Sequence, residues 1–224
     1  MNQNNKTAQI VKWKKPFDAY FQEVTEKRQI VLHHTASGGG VEGDIAWWSR
    51  NGNHISTPYI IGRDGVITEV YNPKYWSYHL GVAGKLNKDH ILDKISIGIE
   101  IDNWGYLKKT PDGKFKTYSG QEVPADDVVV QRHMFRGHIY WEKYTEKQIA
   151  AVVELVSSLC SQFNITPVYH STEGVYTCYQ ALHQVSGVYG HCAYRTDKTD
   201  IYPYQPLEDA LFVALWDHPN NIAR

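Results

Sequence analysis

Two short runs of apolar and β-branched residues limit the folds open to this chain. Residues 29 to 34, Gln-Ile-Val-Leu-His-His, and residues 95 to 101, Ile-Ser-Ile-Gly-Ile-Glu-Ile, are apolar along most of their length. Each is short and bounded by polar sequence, so each reads as a strand buried in a core. Residues 58 to 71 spell two further strands around Arg63-Asp64-Gly65, and Asp-Gly is the strongest short-range hairpin signal. The spacing then changes. Thr145 is placed to cap a long amphipathic helix in which Ile149, Val152, Val153, Val156, Leu159 and Cys160 recur at helical intervals and face the sheet. A shorter helix is expected after Asp44 as its N-cap, with Gly52 near its end. A strand near residues 165 to 169 and a last helix from Leu207 to Trp216 complete the pattern. Strands and helices alternate, which predicts an α/β fold: a central mixed β-sheet flanked by helices. There is no internal repeat and no long linker. The expected organisation is a polar N-terminal arm, residues 1 to 27, and one domain over residues 28 to 224. Residues 103 to 141 are polar, aromatic and rich in turns, so they read as a surface excursion with a small hairpin.

Composition excludes several classes of function. Hydrophobic residues make up 42% and charged residues 21% of 224, as in a globular domain with a real core. The formal net charge is -1, so nothing draws the chain to nucleic acid or to an anionic membrane surface. Three cysteines, Cys160, Cys178 and Cys192, form no CxxC pair and no disulfide framework, which suits synthesis in a reducing compartment. The N-terminal sequence lacks the apolar run of a signal peptide, and no later stretch is long enough to span a membrane. The expectation is synthesis in the cytoplasm and, for an extracytoplasmic substrate, release by another route. The 16 tyrosines and 7 tryptophans suit stacking on sugar rings as well as core packing.

A few polar residues stand where apolar ones would cost less. His33 and His34 end the first buried strand, Glu100 sits inside the second, and His191 stands nine residues before Asp200. Two histidines and a carboxylate, with a fourth position left to water, are the usual donor set of a catalytic zinc. Zinc lowers the pKa of water from about 15.7 to about 7. A buried glutamate has its own pKa raised, which suits proton transfer from water to a leaving amine. Against this stands the plainer possibility that the histidines belong to the core or the surface, and that Glu100 points to solvent.

The segments QIVLHHTASG, YIIGRDGVI, YWSYHLGVAG, ISIGIEID, YTEKQI and GHCAYRTDKTD occur in the order found in the type-2 N-acetylmuramoyl-L-alanine amidases. That superfamily includes phage lysozyme-type amidases, bacterial recycling amidases and the peptidoglycan recognition proteins, and the resemblance covers about residues 28 to 206. Each segment alone is weak, but six in order are not. The resemblance implies a peptidoglycan-recognition-protein-like fold and a Zn2+ ion bound by His33, His191 and Asp200. It also implies Glu100 as the acid and base, Lys198 as the stabiliser of a developing oxyanion, and His79 as a substrate contact beside a structural Trp76. His34 and Cys192 are expected to point away from the ion. The phage lysozyme-type branch uses a tyrosine on the strand before the Arg-Asp-Gly turn. The matching position is Thr57, which leaves Tyr59 to the core. The implied function is hydrolysis of the bond between N-acetylmuramic acid and L-alanine in peptidoglycan, by a monomeric endolysin or similar lytic enzyme. A non-catalytic peptidoglycan-binding receptor and a zinc hydrolase of another amide are the alternatives.

Overall fold

The computed structural model describes residues 10–171 and 177–221. Its strands in the first half are β1 (Ile10–Lys12), β2 (Gln29–His34), β3 (Tyr59–Ile61), β4 (Ile67–Glu69) and β5 (Ser96–Ile101). An antiparallel group follows: β6 (Tyr106–Lys109), β7 (Phe115–Lys116), β8 (Glu122–Val123), β9 (Val128–Phe135) and β10 (His138–Glu142). Two short strands, β11 (Tyr169–His170) and β12 (Gly187–Gly190), come last. The helices are α1 (Gly40–Asn51), α2 (Ile91–Ile95), α3 (Glu146–Phe163), α4 (Tyr179–Leu182) and α5 (Gln205–Trp216). Seven strands form the main sheet in the order β1-β4-β3-β5-β2-β12-β11. The five from β3 to β11 run parallel, while β3 and β4 form the antiparallel hairpin around Arg63-Asp64-Gly65. This is the mixed α/β sheet that the sequence predicts.

The centre of a parallel sheet is covered on both faces, which is why β2 and β5 are apolar at consecutive positions. Successive side chains still alternate between faces. Ile30 and Leu32 of β2, with Ile97, Ile99 and Ile101 of β5, pack under Val152, Val156 and Leu159 of α3 and Leu211 and Leu215 of α5. The opposite face carries two separate clusters. One gathers Val31, Leu80, Leu92 and Tyr189, and the other Ile45, Trp48, Ile60 and Tyr71. Val31 pairs with Gly98 and His33 with Glu100 across β2 and β5. Those two polar side chains therefore emerge together on the face where the core is split.

Local chemistry sets several boundaries. Thr145 accepts a hydrogen bond from the Gln148 backbone N–H while the Gln148 side chain accepts from Thr145. This capping box starts α3 where expected, and a cap of this kind contributes about 1 kcal/mol. The helix α1 begins four residues before Asp44, with Gly39 as N-cap and Gly40 at φ 66°. Asp44 therefore lies inside the helix instead of capping it. The strand expected near 165 to 169 forms at Tyr169–His170 and pairs with β12.

Two segments are more structured than their composition suggests. The polar arm contributes β1, paired parallel to β4, and places Phe17, Ala19 and Tyr20 against Trp48 and Tyr71. The excursion is a five-stranded antiparallel sheet in the order β8-β7-β6-β10-β9, not a single hairpin. Leu107, Val123 and Val128 form its own small core, while Phe135 and Trp141 enter the main one. An ion-pair cluster ties the two sheets together. Arg63, in the β3–β4 turn, bonds Asp102 at 2.5 Å and Glu142 at 2.9 Å, and Glu142 accepts the Trp104 backbone N–H at 2.6 Å.

Lys27 yields a test of these packing forces. Its ammonium is buried against the carbonyls of Lys94 and Ser96, at 2.8 and 3.2 Å, and burial pushes its pKa from 10.5 to about 7. Between those values the unfolded chain binds the proton and the folded chain does not, so stability rises with pH across that window. Urea unfolding at about pH 7 and pH 9 should show this rise in the native chain and a flatter dependence in Lys27→Met. An identical slope in both would contradict the assignment.

Candidate metal centre and cleft

The carboxyl ends of the parallel strands open into a cleft of about 730 Å³, the usual place for a ligand in an open α/β sheet. Three side chains meet on its floor. His33 comes from the end of β2, His191 follows β12 directly, and Asp200 lies on the loop beyond. All three are buried. The Nδ1 atoms of the two histidines are 3.0 Å apart, and Asp200 Oδ2 lies 3.2 Å from the first and 2.9 Å from the second.

The surrounding hydrogen bonds decide where the ring protons are. The Ser96 hydroxyl donates to the Leu92 carbonyl at 2.6 Å, so it accepts from Nε2–H of His79 at 2.8 Å. His79 Nδ1 is then a bare acceptor, and His33 Nε2–H donates to it at 2.9 Å. His33 Nδ1 is left with a lone pair and no proton. His191 Nε2 faces the Leu80 carbonyl at 2.9 Å and must be its donor, so in the neutral ring Nδ1 is again bare. Burial and the neighbouring His191 lower the pKa of His33 to about 4. Asp200, despite a burial that opposes charge, is held well below the usual carboxylate range by His191 and His33.

Two ring nitrogens and a carboxylate oxygen thus converge in one small space, an arrangement that a cation would satisfy. Their spacing is near the ~3.3 Å that separates donors lying ~2.0–2.1 Å from a tetrahedral zinc. Among the described residues, this is the group of histidine, cysteine and carboxylate side chains that could hold a metal ion.

The other expected residues divide cleanly. Glu100 lines the cleft beside His33, and its buried Oε2 has no hydrogen-bond partner. Burial, with the charges of Asp200 and Asp44, raises its pKa well above the ordinary value, while Lys198 opposes the shift. Lys198 lines the same cleft. His34 points the other way, with Nδ1 3.2 Å from the Tyr144 hydroxyl. Cys192 turns into the core, where its Sγ donates to the Ile201 carbonyl. Tyr59 is buried in the core, whereas Thr57 lines the cleft. His79, expected as a substrate contact, borders the cleft, and its ring nitrogens meet His33 and Ser96, so it also orients His33.

Sequence reasoning missed the residues that fix this geometry. The Asp93 carboxylate accepts the backbone N–H groups of His79 and Leu80, both at 3.0 Å, and the Asn87 amide at 2.9 Å. It holds the turn whose members orient both histidines. Gly98 is needed because a Cβ there would lie 2.5 Å from Thr57 Cγ2 and 3.1 Å from His79 Nδ1. Asp44, mistaken for a cap, lines the cleft with Oδ2 unpaired, and burial pushes its pKa up to about 6. A polar Asp93 just before β5 and a polar Ser96 at its first position were the available signals.

A family model described as N-acetylmuramoyl-L-alanine amidase matches residues 23–204. Among solved structures, the hydrolase AmiA of Staphylococcus aureus, in complex with its ligand, aligns over 95% of this chain and 83% of its own, with a TM-score of 0.54 and 15% identity. The amidase LysC of Clostridium intestinale aligns over 93% and 98%, with a TM-score of 0.54 and 15% identity. The endolysin amidase LysCS of the same organism aligns over 92% and 95%, with a TM-score of 0.53 and 15% identity. A search of curated protein sequences finds no significant match. At these identities the structural likeness is one of fold.

The hydrogen-bond relay predicts how metal affinity responds to substitution. His79→Ala should weaken zinc binding by about 10- to 100-fold, the usual cost of removing a group that orients a ligand. His34→Ala and Cys192→Ala should retain the metal, and His33→Ala should lose it. Competition with a chromophoric chelator measures all four. Loss of zinc from the His34 or Cys192 variant as complete as from His33→Ala would overturn the donor set.

Proposed function

The chain belongs to the N-acetylmuramoyl-L-alanine amidase family, and from that premise we propose that it is a zinc-dependent hydrolase of the amide joining N-acetylmuramic acid to L-alanine in peptidoglycan. The observation that carries the reading is the unpartnered Glu100 carboxyl beside three converging acceptors in one cleft. His33, His191 and Asp200 would hold the ion. When bound, zinc supplies Lewis acidity, polarising a carbonyl and making water more acidic.

The remaining steps belong to the protein. Glu100 accepts a proton from water as the water oxygen adds to the lactyl carbonyl carbon. It returns that proton to the alanine nitrogen as the carbon–nitrogen bond breaks, leaving a lactyl carboxylic acid and a free amine. Burial raises its pKa well above the ordinary carboxylate value, which favours return of the proton to the leaving nitrogen after it has been taken from water. The Lys198 ammonium stabilises the charge that develops on the carbonyl oxygen. Neither the cysteines nor Tyr59 take part. We assign the chain to an endolysin or a similar lytic enzyme acting as a monomer, made in the cytoplasm and active on the cell wall. The endolysin among its structural neighbours supports that setting.

Digestion of purified sacculi tests the reaction. New lactyl carboxylates on muramic acid should appear together with new alanine amino termini. A chelator should abolish the cleavage and zinc should restore it. Binding of sacculi without new ends would mark a receptor, and ends elsewhere in the polymer would mark a different hydrolase. Glu100→Gln should lower kcat by about 10²- to 10⁴-fold while zinc stays bound. Tyr59→Phe should keep most of the rate, since burial packs that phenol in the core and raises its pKa. The opposite ranking would transfer the acid–base role to the tyrosine.

A further inference from the structure

The second sheet touches the cleft through Tyr118, on the turn between β7 and β8. This tyrosine lines the cleft yet is 58% exposed. Trp47, on the outward side of α1, lines the same cleft and is 52% exposed. Large aromatic faces left in water cost the hydrophobic stabilisation that burial would provide, and here the protein leaves two of them at one cleft.

Tyr118 is also held from behind. Its ring meets Trp104 edge-on, with centroids 6.0 Å apart and planes at 71°. Trp104 is wedged against the loop that leads from His33 into α1: a Cβ at Gly38 would lie 2.3 Å from Trp104 Cζ2. The Trp104 backbone N–H is fixed by Glu142, which is paired with Arg63. A chain of packed contacts thus runs from the main sheet to the Tyr118 ring. The exposed aromatic is backed on one side by Trp104, which orients its ring.

We propose that Tyr118 and Trp47 form a saccharide-binding subsite for the glycan strand, taking the sugar rings next to the muramoyl unit whose amide is cut. This deepens the proposed function and rests on it. One face of a pyranose ring presents C–H groups, which suit the electron-rich face of an aromatic side chain. Its hydroxyls need polar neighbours, and Ser37, Arg50 and Asp197 line the same cleft. The two exposed aromatic faces themselves match the apolar faces of sugar rings and not the carboxylates of a stem peptide, so the glycan is the occupant we assign to them.

Two measurements decide this. The first titrates the full chain with a peptide-free strand of alternating N-acetylglucosamine and N-acetylmuramic acid, following tryptophan fluorescence or amide shifts. Tyr118→Ala and Trp47→Ala should each weaken binding about ten-fold, and Tyr118→Phe should restore it, because the ring face is retained. The second compares hydrolysis of glycan-linked stems with hydrolysis of a single muramoyl peptide. The ratio of the two kcat/KM values should fall about ten-fold in the alanine variants, chiefly through KM on the glycan substrate. Native glycan affinity in the variants, or an unchanged ratio, would overturn the subsite. So would a titration in which only stem peptides bind. If the native chain hydrolyses neither substrate, the reaction proposed above fails, and the glycan titration still decides the subsite.

Discussion

The structure depends on three acceptors being forced together. His33 Nδ1, His191 Nδ1 and Asp200 Oδ2 lie within about 3 Å of one another, and both histidine rings are fixed from behind through Nε2. The Ser96 and Leu80 contacts are made to or through backbone carbonyls, which can only accept. That removes the freedom of the rings to turn or change tautomer. A dication held there would be met by two ring nitrogens and a carboxylate at once. The sheet, the Asp93 turn and the loop around Asp200 serve to hold these atoms together.

The sheet places the chemistry through its alternation. Odd and even positions of β2 and β5 divide labour: one set packs under α3 and α5, the other presents His33, Gly98 and Glu100 to the cleft. The opposite face is split into two clusters, and His33 and Glu100 occupy the break between them. Polar groups can therefore be buried without interrupting the main core. The cost falls on single atoms, namely the unpaired oxygens of Glu100 and Asp44. An unsatisfied buried polar atom costs about 1–3 kcal/mol.

Much of this was legible in the sequence, wherever the signal is local. The buried strands, the Asp-Gly hairpin and the capped helix from Glu146 each follow from a handful of neighbouring residues, and each forms where the residues put it. The grouping of His33, His191 and Asp200 was legible because six segments fall in a known order, and the three side chains do converge. What was not legible depends on distant contacts. Strands of two residues, such as Phe115–Lys116, carry no periodicity of their own, so the second sheet looked like loop. The start of α1 is set by a run of glycines with no side-chain cap. The role of His79 turns on which way a serine seventeen residues later points its proton, and no local pattern encodes that.

The account rests on the identity of the atoms around the cation, and X-ray absorption at the zinc edge of the metal-loaded protein reads them directly. The account predicts one equivalent of zinc and an inner shell of nitrogen and oxygen only, at about 2.0–2.1 Å. A sulfur scatterer at about 2.3 Å would place Cys192 on the metal, and failure to retain any zinc would remove the centre altogether. Either result would contradict the convergence of His33, His191 and Asp200 on which the cleft is built.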